Sequence, residues 1–103
     1  MEVIKVGVIG VGYLGQHHAR IYSELPQTHL VGVADIDQTR RAEIGNRFGV
    51  AHFGDYQGLL RQIDAVSVAV PTLQHQKVVQ DCLQAGVHVL VEKPIAATPE
   101  EGW

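Results

Sequence analysis

The residues best suited to chemistry stand in three places. Gly10, Gly12 and Gly15 sit in "GVGYLG" as G-x-G-x-x-G. An acid, Asp35, with Ile36 beside it, follows the last of these glycines by 35 − 15 = 20 residues. Near the other end, "VLVEKP" carries an apolar run directly into Glu92 and Lys93 and halts at Pro94. Glycines at this spacing do not react; they clear the main chain so that a phosphate can approach bare amides at the start of a helix, where the dipole favours negative charge. A carboxylate about 20 residues further on is placed to accept hydrogen bonds from ribose hydroxyls. Charge is costly inside an apolar strand, so Glu92 and Lys93 belong where that strand leaves the core.

These groups act together only if the elements around them bring them to one edge. "VIKVGVI" (3–9) predicts a strand that runs at once into the glycines, and Leu14, His18, Ile21 and Leu25 then recur at helical spacing until Pro26. "LVGVAD" (30–35) predicts a second strand, followed by a helix capped by Asp37, with Ile44 and Phe48 inside and Gly49 at its end. Residues 51–53 allow a short strand, residues 56–61 a brief helix, and "AVSVAV" (65–70) a further strand before Pro71. Leu73, Val78, Val79, Cys82 and Leu83 form the next helical stripe, which Gly86 ends before "VHVLV" (87–91). Thr98, Pro99 and Glu101 have the types of a helix start, so a final helix beginning near 98 is expected to be cut off at Trp103. Apolar strands alternating with amphipathic helices mean a parallel sheet covered on both faces. The expected fold is α/β: a doubly wound, open parallel sheet of about five strands, forming one domain over residues 1–103.

In that context each glycine has a mechanical task. Gly10 allows the tight turn, Gly12 the approach of a pyrophosphate, and Gly15 the close packing of helix on strand, while the amides of Tyr13 and Leu14 face the phosphates. By themselves three glycines make only a close strand-to-helix turn; their position after the first strand, with Asp35 ending the second, points to a dinucleotide. A carboxylate there repels a 2'-phosphate, which favours NAD over NADP. Arg40 or Arg41 could swing toward such a phosphate, or both could form a solvated helix face. Ligands of open parallel sheets lie outside the carboxyl ends of the strands. Val70, Pro71 and Thr72, which leave the fourth strand, and Glu92 and Lys93, which leave the fifth, therefore share the edge where the nicotinamide half and a reacting substrate would lie.

Composition excludes several other classes. The net charge is −3 and the 8 Lys and Arg are scattered, so no basic footprint for nucleic acid or an anionic bilayer is present. No apolar run approaches the roughly 20 residues of a membrane span. The glycine-rich stretch from Val6 to Leu14 lacks the cleavage site of a secretion signal. A single cysteine, Cys82, builds neither a disulfide framework nor a cysteine zinc cluster, which fits a cytoplasmic protein. Cys82 lies in an apolar stripe and is expected to be packing. His17 and His18 are adjacent and cannot share a helical face as two metal ligands would, so no metal is expected, and His18 is expected to be a hydrogen-bonded core histidine.

"GVGYLG", the acid in "VADID", "VPTLQH" and above all "AGVHVLVEKPIAAT" resemble the N-terminal domain of the Gfo/Idh/MocA oxidoreductases. The resemblance covers essentially the whole chain. It implies NAD(P)-dependent hydride transfer on sugars, inositols or nucleotide sugars, with a small-molecule substrate as partner. It also implies that Lys93 touches the substrate hydroxyl or carbonyl beside the nicotinamide and assists proton transfer. A partly desolvated ammonium at such a place can lower its pKa enough to share a proton. Glu92 would orient Lys93 or hold the nicotinamide ribose; without the resemblance the two are a surface ion pair. The resemblance places His75 near the cofactor, whereas periodicity alone leaves it a capping or packing group in the first turn of a helix.

Two departures are small: Val70 stands where many members have threonine, and Val87 where lysine is frequent. The large departure is the family's second domain, which the resemblance implies supplies remaining catalytic side chains, substrate walls and usually the contacts of a homo-oligomer, and which is expected to lie outside these 103 residues. The chain alone is therefore expected to bind cofactor with little or no turnover. A stand-alone nucleotide-sensing or scaffold module is the alternative from another class. An adenosylmethionine-dependent methyltransferase would explain Asp35 but not the E-K-P turn.

Overall fold

The computed structural model describes residues 3–90. Five parallel strands form one sheet in the order β3-β2-β1-β4-β5. They are β1 (Ile4–Ile9), β2 (Thr28–Ala34), β3 (Ala51–Phe53), β4 (Ala65–Val68) and β5 (His88–Leu90). The connecting helices are α1 (Tyr13–Glu24), α2 (Gln38–Phe48), α3 (Tyr56–Leu60) and α4 (Thr72–Gln84). This is the doubly wound sheet expected from the alternation of strands and helices. Glu92, Lys93 and the helix expected from near residue 98 lie outside the described residues.

Alternation along the strands divides the interior into two cores. Val6, Val8, Leu30 and Val33 face α1 and α2, where Ala19 and Ile44 close over them. Ile9, Ala34, Val66 and Val68 face the other way, beneath Leu59 of α3 and Val78 and Cys82 of α4. The chain crosses from one face to the other between β3 and β4, so the connections on either side of β1 diverge. That divergence opens a crevice at the carboxyl ends of β1 and β4, where a flat sheet edge would otherwise be covered.

Helix α2 begins and ends as its sequence predicts. Asp37 caps α2, its carboxylate accepting from the Arg40 amide at 2.9 Å, and Gly49 closes it in the left-handed region at φ 67°. The inner faces of the other two long helices differ from the expectation. In α1 the buried residues are Gly15 and Ala19, with Tyr22 packed at the edge, whereas Leu14 and Leu25 are exposed. The helix must lie close on β1, and only the stripe of small residues permits that approach. In α4, Val78 and Cys82 are buried and Val79 packs against them, but Leu73 is 97% exposed and Leu83 also faces outward. Leu73 lies in the first turn of α4, two residues after the N-cap Pro71 that lines the crevice. His18 is half-buried, its ring edge-on to Tyr22 at 6.5 Å.

Candidate functional site

The crevice is built from four strand exits held together by main-chain bonds. Gly10 N–H donates to the Ala34 carbonyl at 2.7 Å, Ala69 N–H to Ile9 at 2.8 Å, and Asp35 N–H to Phe53 at 3.1 Å. Among the described residues they enclose about 460 Å³. Gly10 and Gly12 form its floor, Asp35, Ile36 and Arg40 one wall, and Val70 and Pro71 the opposite lip.

The three glycines are present for three different reasons. Gly10 has φ 91°, and a Cβ there would lie 2.7 Å from the Ala69 carbonyl oxygen, so the turn and the neighbouring strand exit both require it. A Cβ on Gly15 would come within 1.7 Å of the Gly10 carbonyl oxygen, which fixes how closely α1 lies on β1. Gly12 differs from both: its φ is −72°, and a Cβ would meet only Arg40 Nη1, at 3.8 Å. Among the described residues neither backbone strain nor packing asks for glycine at 12, so the space above it is left for something else.

Helix capping points the same way. The carboxylates of Asp37 and Asp55 cap α2 and α3. Among the described residues no side chain caps α1 or α4, whose N-cap residues Gly12 and Pro71 both line the crevice. A helix start leaves amide hydrogens without intrahelical partners. At α1 these include the amides of Tyr13 and Leu14, and among the described residues no side chain competes with an anion for them. The side chains of Tyr13 and Leu14 are exposed, and they border a separate groove with His17 and Arg20.

Asp35 is 8% exposed at its side chain and already partly engaged. One oxygen accepts from Val11 N–H and the other from Asp37 N–H, both at 2.9 Å. Arg40 stands 3.7 Å away as counter-ion, beyond hydrogen-bonding distance. A carboxylate has about four acceptor positions, so two main-chain donors hold it in place and leave capacity for two hydroxyls. The two arginines separate in this structure. Arg40 is 46% exposed and lines the crevice, whereas Arg41 donates to the Asp35 and Ile36 carbonyls at 3.1 and 3.4 Å and packs over Gly54.

Gly15 and His75 lie nearby without lining the crevice. Gly15 is buried beneath it, Thr72 begins α4, and His75 sits half-buried in that helix's first turn. Gln74 lines the crevice in its stead, joined by Tyr56 and Val78, and no motif singles these out. Tyr56 starts a helix of five residues, too short for periodicity to tell which side faces in. Burial, reinforced by a hydrogen bond to Asp81, pushes its phenol up to about 12. Burial likewise raises the Cys82 thiol to about 11, with Asp81 adding to the effect. Among the described residues, no three His, Cys, Asp or Glu side chains converge as metal ligands would. No described helix is long and apolar enough to cross a membrane.

A doubly wound parallel sheet with a glycine turn and a strand-tip acid meeting where the strand order reverses defines a Rossmann domain of the dinucleotide-binding class. The chain belongs to the Gfo/Idh/MocA family: the model described as "Oxidoreductase family, NAD-binding Rossmann fold" matches residues 4–102. It is 42% identical over 98 residues to the UDP-N-acetylglucosamine 3-dehydrogenase of Acidithiobacillus ferrooxidans, a match covering 95% of this chain and 31% of that protein. The solved structure of that enzyme superposes with TM-score 0.85 at 41% identity, over 91% of this chain and 30% of the other. The inositol 2-dehydrogenase of Rubrobacter xylanophilus is 39% identical over 92% of this chain and 28% of its own length. GenD2 from gentamicin A biosynthesis, solved in complex with NAD, has TM-score 0.86 at 31% identity, over 92% of this chain and 28% of that one. The chain thus spans about three-tenths of the length of such relatives.

Proposed function

We propose that this chain is the NAD-binding part of an oxidoreductase that transfers hydride between a nicotinamide cofactor and an alcohol or carbonyl carbon of a sugar, inositol or nucleotide sugar. Gly12 carries the reading: it is a glycine that the geometry of the described residues does not need, at a helix start no described side chain caps, opposite a strand-tip acid. When bound, the cofactor supplies the hydride acceptor or donor. The chain binds and orients it. Main-chain amides at Tyr13 and Leu14 hold the diphosphate, and Asp35, fixed by the Val11 and Asp37 amides, accepts from the adenosine ribose hydroxyls.

The same carboxylate disfavours a 2'-phosphate, so NAD is the preferred cofactor; Arg40, the exposed counter-ion, moderates that preference, and Arg41 is held to the main chain. Val70, Pro71, Thr72 and His75 border the nicotinamide side, where Glu92 positions Lys93 and Lys93 holds or moves the proton of the substrate hydroxyl. The substrate class comes from the relatives, which are named for acting on a nucleotide sugar and an inositol. Substrate walls come from a second domain, for which the greater length of those relatives leaves room. Without it the chain binds cofactor but does not turn over.

Calorimetric titration with NAD, NADP and adenosylmethionine tests the ligand class. NAD is expected to bind most tightly, and tighter adenosylmethionine binding would sink the proposal. In the enzyme joined to its second domain, Lys93→Met is expected to keep NAD affinity near wild type and slow hydride transfer; unchanged turnover removes Lys93 from its role.

A further inference from the structure

Tyr56 and Asp81 form a cluster that neither the glycine motif nor the strand-tip acid explains. Tyr56 opens α3 and lines the crevice, two residues after Gly54, which lines it too. Its phenol donates to Asp81 of α4 at 2.5 Å. The same carboxylate oxygen accepts from Lys77 Nζ at 3.2 Å and Gln57 Nε2 at 3.5 Å. The Asp81 side chain is 18% exposed, whereas that of Lys77 is largely in solvent.

Geometry gives the cluster a task. A helix of five residues has little stability of its own, so its contacts decide where it stands. Leu59 and Leu60 are buried and anchor its far end in the core. The near end, at the crevice, reaches α4 through Tyr56 and Gln57, both directed at Asp81. Val78 lies three residues before Asp81, on the same face of α4, and lines the crevice as Tyr56 does. One carboxylate therefore ties together two helices that both contribute to the lining of the crevice.

The strand order β3-β2-β1-β4-β5 says which part of a dinucleotide lies there. Asp35 follows β2, and Gly54 and Tyr56 follow β3, the strand farthest from β5. The adenosine half thus belongs on the Tyr56 side and the nicotinamide half toward the exits of β4 and β5. Building on the dinucleotide reading above, we infer that Asp81 is a positioning residue: by bracing Tyr56 it sets the gap between α3 and α4 that receives the adenine base.

The test uses the full 103-residue chain and 5'-AMP, NAD and nicotinamide mononucleotide as probes, with binding followed by NMR titration and Tm recorded alongside. Asp81→Ala and Tyr56→Phe are each expected to weaken 5'-AMP and NAD about three- to tenfold, the worth of one hydrogen bond, and to leave nicotinamide mononucleotide unchanged. The double variant should be no worse than either single one, because both remove the same contact. Asp81→Asn keeps an oxygen for the phenol and should recover most of the affinity; Lys77→Ala should bind as wild type does. Wild-type affinity for 5'-AMP in Asp81→Ala and Tyr56→Phe, whatever their Tm, overturns the inference, as does an equal loss for all three probes. Should Asp81→Ala fail to fold, Tyr56→Phe and Asp81→Asn decide. A wild-type chain that binds neither NAD nor 5'-AMP removes the dinucleotide reading itself, whereas binding that the variants do not alter removes only the brace.

Discussion

Gly15 lies so tightly beneath Gly10 that a side-chain carbon on it would come within 1.7 Å of the Gly10 carbonyl oxygen, while Gly12, between them, has open space. Substitution should therefore separate folding from binding within one motif. Gly15→Ala is expected to lose about 1–3 kcal/mol or more, as overpacked sites do, with Tm falling roughly 4–8 °C per kcal/mol for a domain of this size. Gly12→Ala is expected to keep Tm within a few degrees and lose NAD affinity at least about tenfold, because the methyl stands where the diphosphate would. Thermal melts and NAD titrations of the two variants check this, and a Gly12→Ala chain that binds normally contradicts it.

Asp35 is tied to the glycine turn, since Val11 N–H donates to it at 2.9 Å and Val11 is fully buried. Asp35→Ala leaves that amide without its acceptor, at a cost of about 1–3 kcal/mol, and Asp35→Asn should restore much of it. For ligands, Asp35→Ala is expected to narrow the preference for NAD over NADP by about tenfold. Arg40→Ala should widen it, because the crevice then loses its exposed cation. Arg41→Ala should leave it alone and reduce stability instead, since Arg41 holds the Asp35 and Ile36 carbonyls. Paired urea melts and cofactor titrations read both effects.

The Tyr56–Asp81 contact predicts two pH limbs. The Tyr56 phenol is raised from 10.0 to about 12, chiefly by burial, so its contribution to stability is complete below pH 10 and disappears as pH rises toward 12. Hydrogen bonds from Tyr56 and then Lys77 lower the Asp81 carboxyl from 3.8, so its contribution is present above that value and disappears as pH falls through the lower folded one. Urea unfolding across pH should show both limbs. Tyr56→Phe should flatten the alkaline one and Asp81→Asn the acid one. Phenolate absorbance should show one of the 3 tyrosines ionising late, and that component should vanish in Tyr56→Phe.

Cys82 is fully buried and its thiol is raised to about 11, so in the native chain it should react with a thiol reagent only through opening of the α4 side of the core. Labelling should be slower by orders of magnitude than in denaturant. The Gly12→Ala chain, which leaves that core intact, should label as slowly as wild type. Rapid labelling of the folded protein would contradict the packing role.

Much of the site was legible because its chemistry is local. A glycine turn between strand and helix needs φ above zero at Gly10 and no side chain at Gly15, and both demands act within six residues. Asp35 was legible because it ends a strand adjacent to β1, so its distance along the chain translates into proximity. The inner faces of α1 and α4 were misjudged where apolar residues were taken to mark the buried stripe. Leu14 and Leu73 stand in the first turns of α1 and α4 and are exposed, and an apolar side chain buries only where a neighbour lies beneath it.

Taken by itself, the order of residues determined a parallel doubly wound sheet, the glycine turn and the acid opposite it, because hydrophobic period, turn chemistry and strand spacing are properties of short stretches. Only the tertiary structure decided that Arg40 rather than Arg41 faces the crevice, that Gln74 lines it where His75 does not, and that Tyr56 is braced from α4. Those outcomes depend on how far each helix is rotated and where its first turn falls against elements distant in the chain. The packing of side chains on both faces of the sheet sets that rotation, and nothing local encodes it.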